Sequence, residues 1–173
     1  MKLIFLDIDG VCNNKQFFLD FNKSGKKFHP DDMIDPVNVL QLNKIIADTQ
    51  AKIVVSSTWR VCRSVEHLQE LLSRHGVLGE VIGKTPDLCT KSKSGLWVSQ
   101  TRGDEIQSWL DEYDQNPNGE DIESFVIIDD ESGIHQKENF VQTSMDTGLT
   151  EVHVQKAIQI LNGRKEGSNG SNV

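Results

Sequence analysis

The N-terminal stretch MKLIFLDIDGVCNN runs an apolar segment, Leu3 to Leu6, into two carboxylates, Asp7 and Asp9, with one residue between them and Gly10 behind. Carboxylates at the end of a core strand repel each other and lose hydration. The pattern therefore calls for something that offsets both costs, and a cation or a reacting phosphate does so. AKIVVSS repeats the pattern with Ser56 and Ser57, and SFVIIDD with Asp129 and Asp130. Residues at i and i+2 project to one side if the chain stays extended, and Gly10 permits a sharp turn after them.

The elements that carry these residues follow from periodicity. KLIFLDI, AKIVVSS and SFVIIDD are apolar without alternation and read as strands covered on both faces, as in a parallel sheet; GEVIGK from Gly79 is a further strand. Between them, Asp35 caps a helix with Pro36 at its first position and Val39, Leu42, Ile45 and Ile46 as its apolar stripe. Three more stripes follow: Val65, Leu68, Leu71 and Leu72; Ile106, Trp109, Leu110 and Tyr113; and Val154, Ala157, Ile158 and Leu161. Alternating strands and helices make an α/β fold. In an open parallel sheet the ligand site lies beyond the carboxyl ends of the strands, so the three polar strand ends are expected to converge.

At 173 residues the chain is expected to form one domain over 1–162, followed by a disordered polar tail over 163–173. Residues 13–35 are long for a strand-to-helix connection. They interleave Phe17, Phe18, Phe21 and Phe28 with Lys15, Lys23, Lys26 and Lys27, and read as a hairpin flap turning at Ser24–Gly25. The formal charge of -8 argues against holding nucleic acid by bulk electrostatics and leaves room only for local basic patches. Cys12, Cys62 and Cys89 have no disulfide or zinc spacing, and no apolar run approaches the roughly 18 residues of a membrane span. A reducing cytoplasm with no membrane partner is the expectation. Trp59, Trp97 and Trp109 read as packing residues, and Cys12 as a small hydrophobe.

Taken together, IFLDIDGV, KIVVSS and VIIDD resemble the first, second and fourth motifs of the haloacid dehalogenase (HAD) superfamily of aspartate-nucleophile phosphotransferases, in the family's order. KIVVSSTWR, VIGKTPD, TRGDEIQSWL and the late GLT look like its branch in Swiss-army-knife RNA repair proteins. The resemblance implies a three-layer Rossmann-like domain with a central parallel sheet. Asp7 would attack phosphorus and form an aspartyl-phosphate, while Asp9 would protonate the leaving oxygen and then deprotonate water. Mg²⁺ would be held by hard oxygens: the Asp7 carboxylate, the Asp9 carbonyl, Asp129 and Asp130. Ser56, or Ser57 if the strand runs one residue longer, would donate to a phosphoryl oxygen. The family usually supplies a lysine to balance phosphoryl charge. Here the pattern departs, with Arg102 favoured over Lys84 for that place and Arg60 as a separate substrate-phosphate contact.

In this superfamily large caps usually select the substrate, and here the insertions leave room only for a small flap. An open site suits a substrate too large to be enclosed, a nucleic-acid end or a phosphoprotein, and the resemblance to the repair branch implies a phosphomonoester on a polynucleotide end, RNA or DNA, with a 3′-phosphate as the leading substrate. That reading needs a local basic groove around Lys26, Lys27, Arg60 and Arg63. A nucleotide or small-molecule phosphatase of the same fold is the alternative, and a non-catalytic phosphate-binding module a third reading; the Asp7/Asp9 pair disfavours the last, since a binder needs no acid–base group.

Overall fold

The strand β1 (Lys2–Leu6) is the centre of the molecule: it pairs in parallel with β2 (Lys52–Val55) on one side and β6 (Ser124–Asp129) on the other. The computed structural model describes residues 1–91, 97–98 and 100–163. Beyond β2 lies β3 (Val81–Lys84), and beyond β6 lies β7 (Phe140–Gln142), so the five-stranded sheet runs β3-β2-β1-β6-β7, all parallel. A short antiparallel pair, β4 (Thr90–Lys91) and β5 (Trp97–Val98), stands apart from it.

Alternation along the strands feeds two apolar layers. Ile4, Leu6, Ile53, Val55, Val126 and Ile128 face one way, against α2 (Pro36–Thr49), α3 (Val65–Arg74) and α5 (Glu151–Leu161). Leu3, Phe5, Val54 and Ile127 face the other way, against α4 (Arg102–Asp114), where the Trp109 ring meets Phe5 edge-on at 5.4 Å. This is the three-layer α/β arrangement expected from the strand and helix patterns. Asp35 caps α2 by accepting from the Val37 amide, with Pro36 in the first turn.

The expected hairpin is a helix. Residues Lys15–Lys23 form α1, capped by the Asn14 side chain accepting from the Phe17 amide at 2.9 Å, and Phe17 packs against Phe18 and Phe21 along it. Gly25, at φ +68, follows the helix end rather than turning a pair of strands. The aromatic run on either side of Ser24–Gly25 imitates strand–turn–strand, but positions 17, 18 and 21 also share a helix face, and the cap decides between them. The segment is closed at its base, where the Asp35 amide donates to the Cys12 carbonyl at 2.8 Å. The tail beyond Gly163 and the side chain of Trp97 lie outside the described residues.

The strand order changes direction between β1 and β6. From β1 the chain steps outward through β2 and β3, and it later returns to the far side of β1 through β6 and β7. Loops that diverge at such a point leave a crevice at the carboxyl ends of the strands. Asp7 follows β1, Asp129 ends β6, Ser56 and Ser57 follow β2, and α4 begins at Arg102.

Candidate active site

Asp7 stays registered to the sheet after β1 ends, its amide donating to the Ile128 carbonyl at 3.0 Å. Its side chain is buried, as is that of Asp129, and oxygens of Asp7, Asp129 and Asp130 lie within 4.8 Å of one another. Desolvation, reinforced by repulsion from Asp129, pushes the Asp7 carboxyl up to about 7 against the opposing pull of Arg102 and of a hydrogen bond from the Ser57 hydroxyl. Burial likewise lifts Asp129 to about 6, and lifts Asp130 above the usual carboxylate range.

One oxygen of Asp129 accepts from the Glu131 amide at 2.9 Å, while the buried Oδ2 makes no hydrogen bond and faces the Arg102 guanidinium, with Nε at 3.3 Å. Three convergent carboxylates, with one oxygen that makes no hydrogen bond, have the donor set of a cation site. The donors are hard oxygens with no imidazole in the group, which fits a divalent cation of the Mg²⁺ class.

Asp9 does not join that group. Asn13 Nδ2 donates to its Oδ1 at 2.9 Å and the Trp59 indole nitrogen to its Oδ2 at 2.9 Å, so both oxygens are held by neutral donors. The extended geometry that would have kept the two carboxylates together ends at Leu6, and the chain turns on bonds from the Val11 and Cys12 amides to the Ile8 carbonyl. Gly10 completes the turn at φ +69. A Cβ there would lie 2.4 Å from an Asp130 oxygen, so a glycine is required both by backbone conformation and by the approach of Asp130.

Of the two serines, Ser57 is the one beside Asp7. The Ser56 amide continues the ladder by donating to the Leu6 carbonyl at 2.9 Å, and its buried hydroxyl has no partner. The Ser57 oxygen also accepts from the Trp59 amide and caps the short turn Thr58–Arg60. Ser57, and not Ser56, is therefore the serine whose hydroxyl meets the Asp7 carboxylate.

Arg102 is the cation at the site. Its Nε lies 3.3 Å from Asp129 Oδ2 and its Nη2 lies 3.9 Å from Asp7 Oδ1, while Nη1 donates to the Ser56 carbonyl. It opens α4 just after Thr101, whose side chain forms a capping box with Asp104. Lys84 is elsewhere: its ammonium donates to the carbonyls of Arg60 and Arg63 and so braces the turn after β2.

Arg60 departs from its expected role. It is 3 % exposed, and its guanidinium donates to the carbonyls of Ser56, Ser57, Thr85 and Pro86 and pairs with Glu105 at 2.6 Å. No face is left for a substrate phosphate. Glu105 also reaches Arg102 at 3.5 Å and joins the two arginines. Arg63 lines the cleft beside Asp9 but is engaged, donating to Asp31 at 2.7 Å and to the Trp59 carbonyl, so the expected basic groove loses Arg60 and has Arg63 paired with an acid, while Lys26 and Lys27 are exposed.

Sequence reasoning missed Asn13, Trp59 and Glu105 as site residues. Glu105 had a signal in its i, i+3 spacing from Arg102 at a helix start. Trp59 and Asn13 had none, because their partner is set by the tertiary turn. Cys12, fully buried beside Asp7 and Asp9, has its thiol pushed strongly up by burial and then by those two charges, and fits the role of a packing group.

The site opens on the Asp9 side into a cleft of ≈ 320 Å³ between the α1 segment and the turn after β2, with Asp9, Phe18, Phe28 and Trp59 in its lining. The late GLT phrase has a structural place. Gly148 packs closely on Asn38, Leu149 donates to the Val11 carbonyl, and Thr150 caps α5. Residues 3–154 match the family described as the HAD domain in Swiss Army Knife RNA repair proteins. No curated protein and no solved structure matches the chain.

Proposed function

The chain belongs to the family of HAD domains in Swiss Army Knife RNA repair proteins, and from that premise we propose that it is a Mg²⁺-dependent phosphomonoester hydrolase acting through an aspartyl-phosphate on a polynucleotide end, with a 3′-phosphate as the leading substrate. The observation that carries this reading is the separation of two carboxylates: Asp7 inside the Asp129, Asp130 and Arg102 group, and Asp9 outside it on Trp59 and Asn13. A nucleophile needs the first environment. A proton carrier needs the second.

Asp7 attacks phosphorus, and the bond from phosphorus to the leaving oxygen breaks. Ser57 and Arg102 hold phosphoryl oxygens and stabilise the charge that develops on them. Protonated Asp9 donates its proton to the leaving oxygen, then takes one from the water that attacks the aspartyl-phosphate, releasing phosphate and restoring the Asp7 carboxylate and the Asp9 acid. A divalent cation held by Asp7, Asp129, Asp130 and the Asp9 carbonyl would supply the charge neutralisation that lets an anionic nucleophile meet an anionic phosphoryl group. Arg60, Glu105 and Lys84 fix the position of Arg102 and of the turn that carries Ser57 and Trp59.

The open cleft, and the exposed Lys26 and Lys27 that precede its lining residue Phe28 in sequence, support a polynucleotide end over a fully enclosed metabolite. No helix among the described residues is long and apolar enough to cross a membrane, and the free thiols of Cys12, Cys62 and Cys89 support a reducing, cytoplasmic setting. The test is phosphate release from 3′-phosphorylated oligonucleotides, 5′-phosphorylated oligonucleotides and mononucleotides with Mg²⁺, compared between the native protein and Asp7→Asn. Preference for the 3′-phosphorylated oligonucleotide and loss in the variant are expected. A preference for mononucleotides would overturn the substrate, and no turnover of any phosphomonoester would overturn the reaction.

A further inference from the structure

The leaving group of an in-line displacement departs opposite the nucleophile, and the group that protonates it must lie on that side. Asp9 is that group in the reading above, on which this inference rests, and the ≈ 320 Å³ cleft opens directly from it. Whatever carries the leaving oxygen therefore enters the cleft. The walls are mostly apolar and aromatic, and the guanidinium that joins them, Arg63, is paired with Asp31. Phe18, Phe28 and Met33 come from the segment between β1 and α2, and Trp59 and Thr58 from the turn after β2. Phe28 is 65 % exposed, a large aromatic face that the fold itself does not bury.

The rings are backed by fixed structure. Trp59 is held through its indole nitrogen by Asp9, and the Arg63 guanidinium lies 5.8 Å from its ring centroid while pairing with Asp31. Phe18 is carried on α1 and packs on Phe17 at 6.1 Å. Such sites usually span roughly 300–1,000 Å³, so a cleft at the small end of that range suits one flat heterocycle with its sugar rather than several. Aromatic side chains beside a backbone-reactive centre are the usual platform for stacking a base regardless of its identity.

We propose that this cleft is a leaving-group subsite that stacks the terminal nucleobase, so that the protein selects phosphomonoesters of nucleosides over those of base-free alcohols. Asp9, which lines the cleft, then meets the sugar oxygen. Because a π-face is common to all bases, discrimination among bases is weak.

The experiment compares kcat/KM for an oligonucleotide ending in a nucleoside 3′-phosphate with that for the same oligonucleotide lacking its terminal base. In the native protein the base-bearing end is favoured roughly 5- to 150-fold, the range spanned by stacking on one aromatic residue. Phe18→Ala and Phe28→Ala lower that ratio, whereas Leu19→Ala, on an exposed position of α1 outside the cleft lining, leaves it alone. A native ratio near one, or a ratio unmoved in both phenylalanine variants, overturns the subsite. In parallel, binding of a nucleoside 3′-monophosphate and of ribose phosphate to Asp7→Asn is measured by calorimetry. If no phosphomonoester is hydrolysed but the nucleoside form binds more tightly, the catalytic reading fails and the subsite stands. Turnover of both substrates with equal binding has the opposite meaning.

Discussion

The Trp59 indole nitrogen donates to Asp9 Oδ2 at 2.9 Å, tying the turn after β2 to the carboxylate that follows β1. The tie fixes where a proton can be delivered without placing a charge beside the carboxylate. Trp59→Phe keeps most of the ring and removes the donor. A hydrogen bond to a charged partner contributes about 1.5–3 kcal/mol, so kcat is expected to fall roughly 10- to 150-fold with a smaller change in KM. Steady-state kinetics on an aryl phosphate check this, and an unchanged kcat would mean that Asp9 is positioned by Asn13 alone.

Glu105 lies between Arg60 and Arg102, with all three side chains under one-tenth exposed. Removing one partner of a buried ionic group strands the others, at a cost of about 3–5 kcal/mol. Glu105→Gln is therefore expected to lower unfolding free energy by that order in urea titration. Activity should fall too, because Arg102 loses the contact that aims it at Asp7 and Asp129. Stability equal to the native protein would show that the arginines are held by their carbonyl partners.

The carboxylate group sets a pH dependence of defined sign. Asp7 titrates at about 7 and Asp129 at about 6 in the folded chain, against an ordinary value of 3.8. The folded state thus binds protons that the unfolded state has released. The stability from these groups is complete below about pH 4 and is lost as pH rises to about 7, with each tenfold change in proton affinity worth about 1.4 kcal/mol. Mg²⁺ should reverse the loss: its increment in melting temperature is expected to be larger at pH 7.5 than at pH 5, with proton release on binding. An equal increment at both values would place the cation elsewhere.

Gly10→Ala introduces a Cβ at φ +69 that would lie 2.4 Å from an Asp130 oxygen. Backbone strain of this kind costs about 1–3 kcal/mol, and displacing a ligand's support lowers metal affinity roughly 10- to 100-fold. Calorimetric titration with Mg²⁺ and thermal unfolding measure the two effects separately. Native affinity in the variant would remove Asp130 from the ligand set.

The core strands and four of the helices were legible because their apolar positions repeat locally. KLIFL, KIVV and SFVIID needed no partner to be recognised, and their polar ends pointed to one crevice. Arg60 was misread for the opposite reason: its carbonyl and Glu105 partners are assembled only when β2, β3 and α4 meet. The α1 segment was misread because its phenylalanines satisfy two periodicities at once. β7, three residues long at the sheet edge, is too short to show any period.

The segment carrying Phe18 and Phe28 leaves the sheet at Cys12 and returns at Asp35, where one amide-to-carbonyl bond closes its base. Asp7 meanwhile directly follows β1, the central strand of the five. Residues 16–30, between the Lys15 amide bonded to Met145 and the Asp31 carboxylate paired with Arg63, can thus lengthen, shorten or be exchanged for another sequence while the reacting groups keep their places. Grafting a different segment between those two anchors is a route to a changed substrate range on unchanged chemistry.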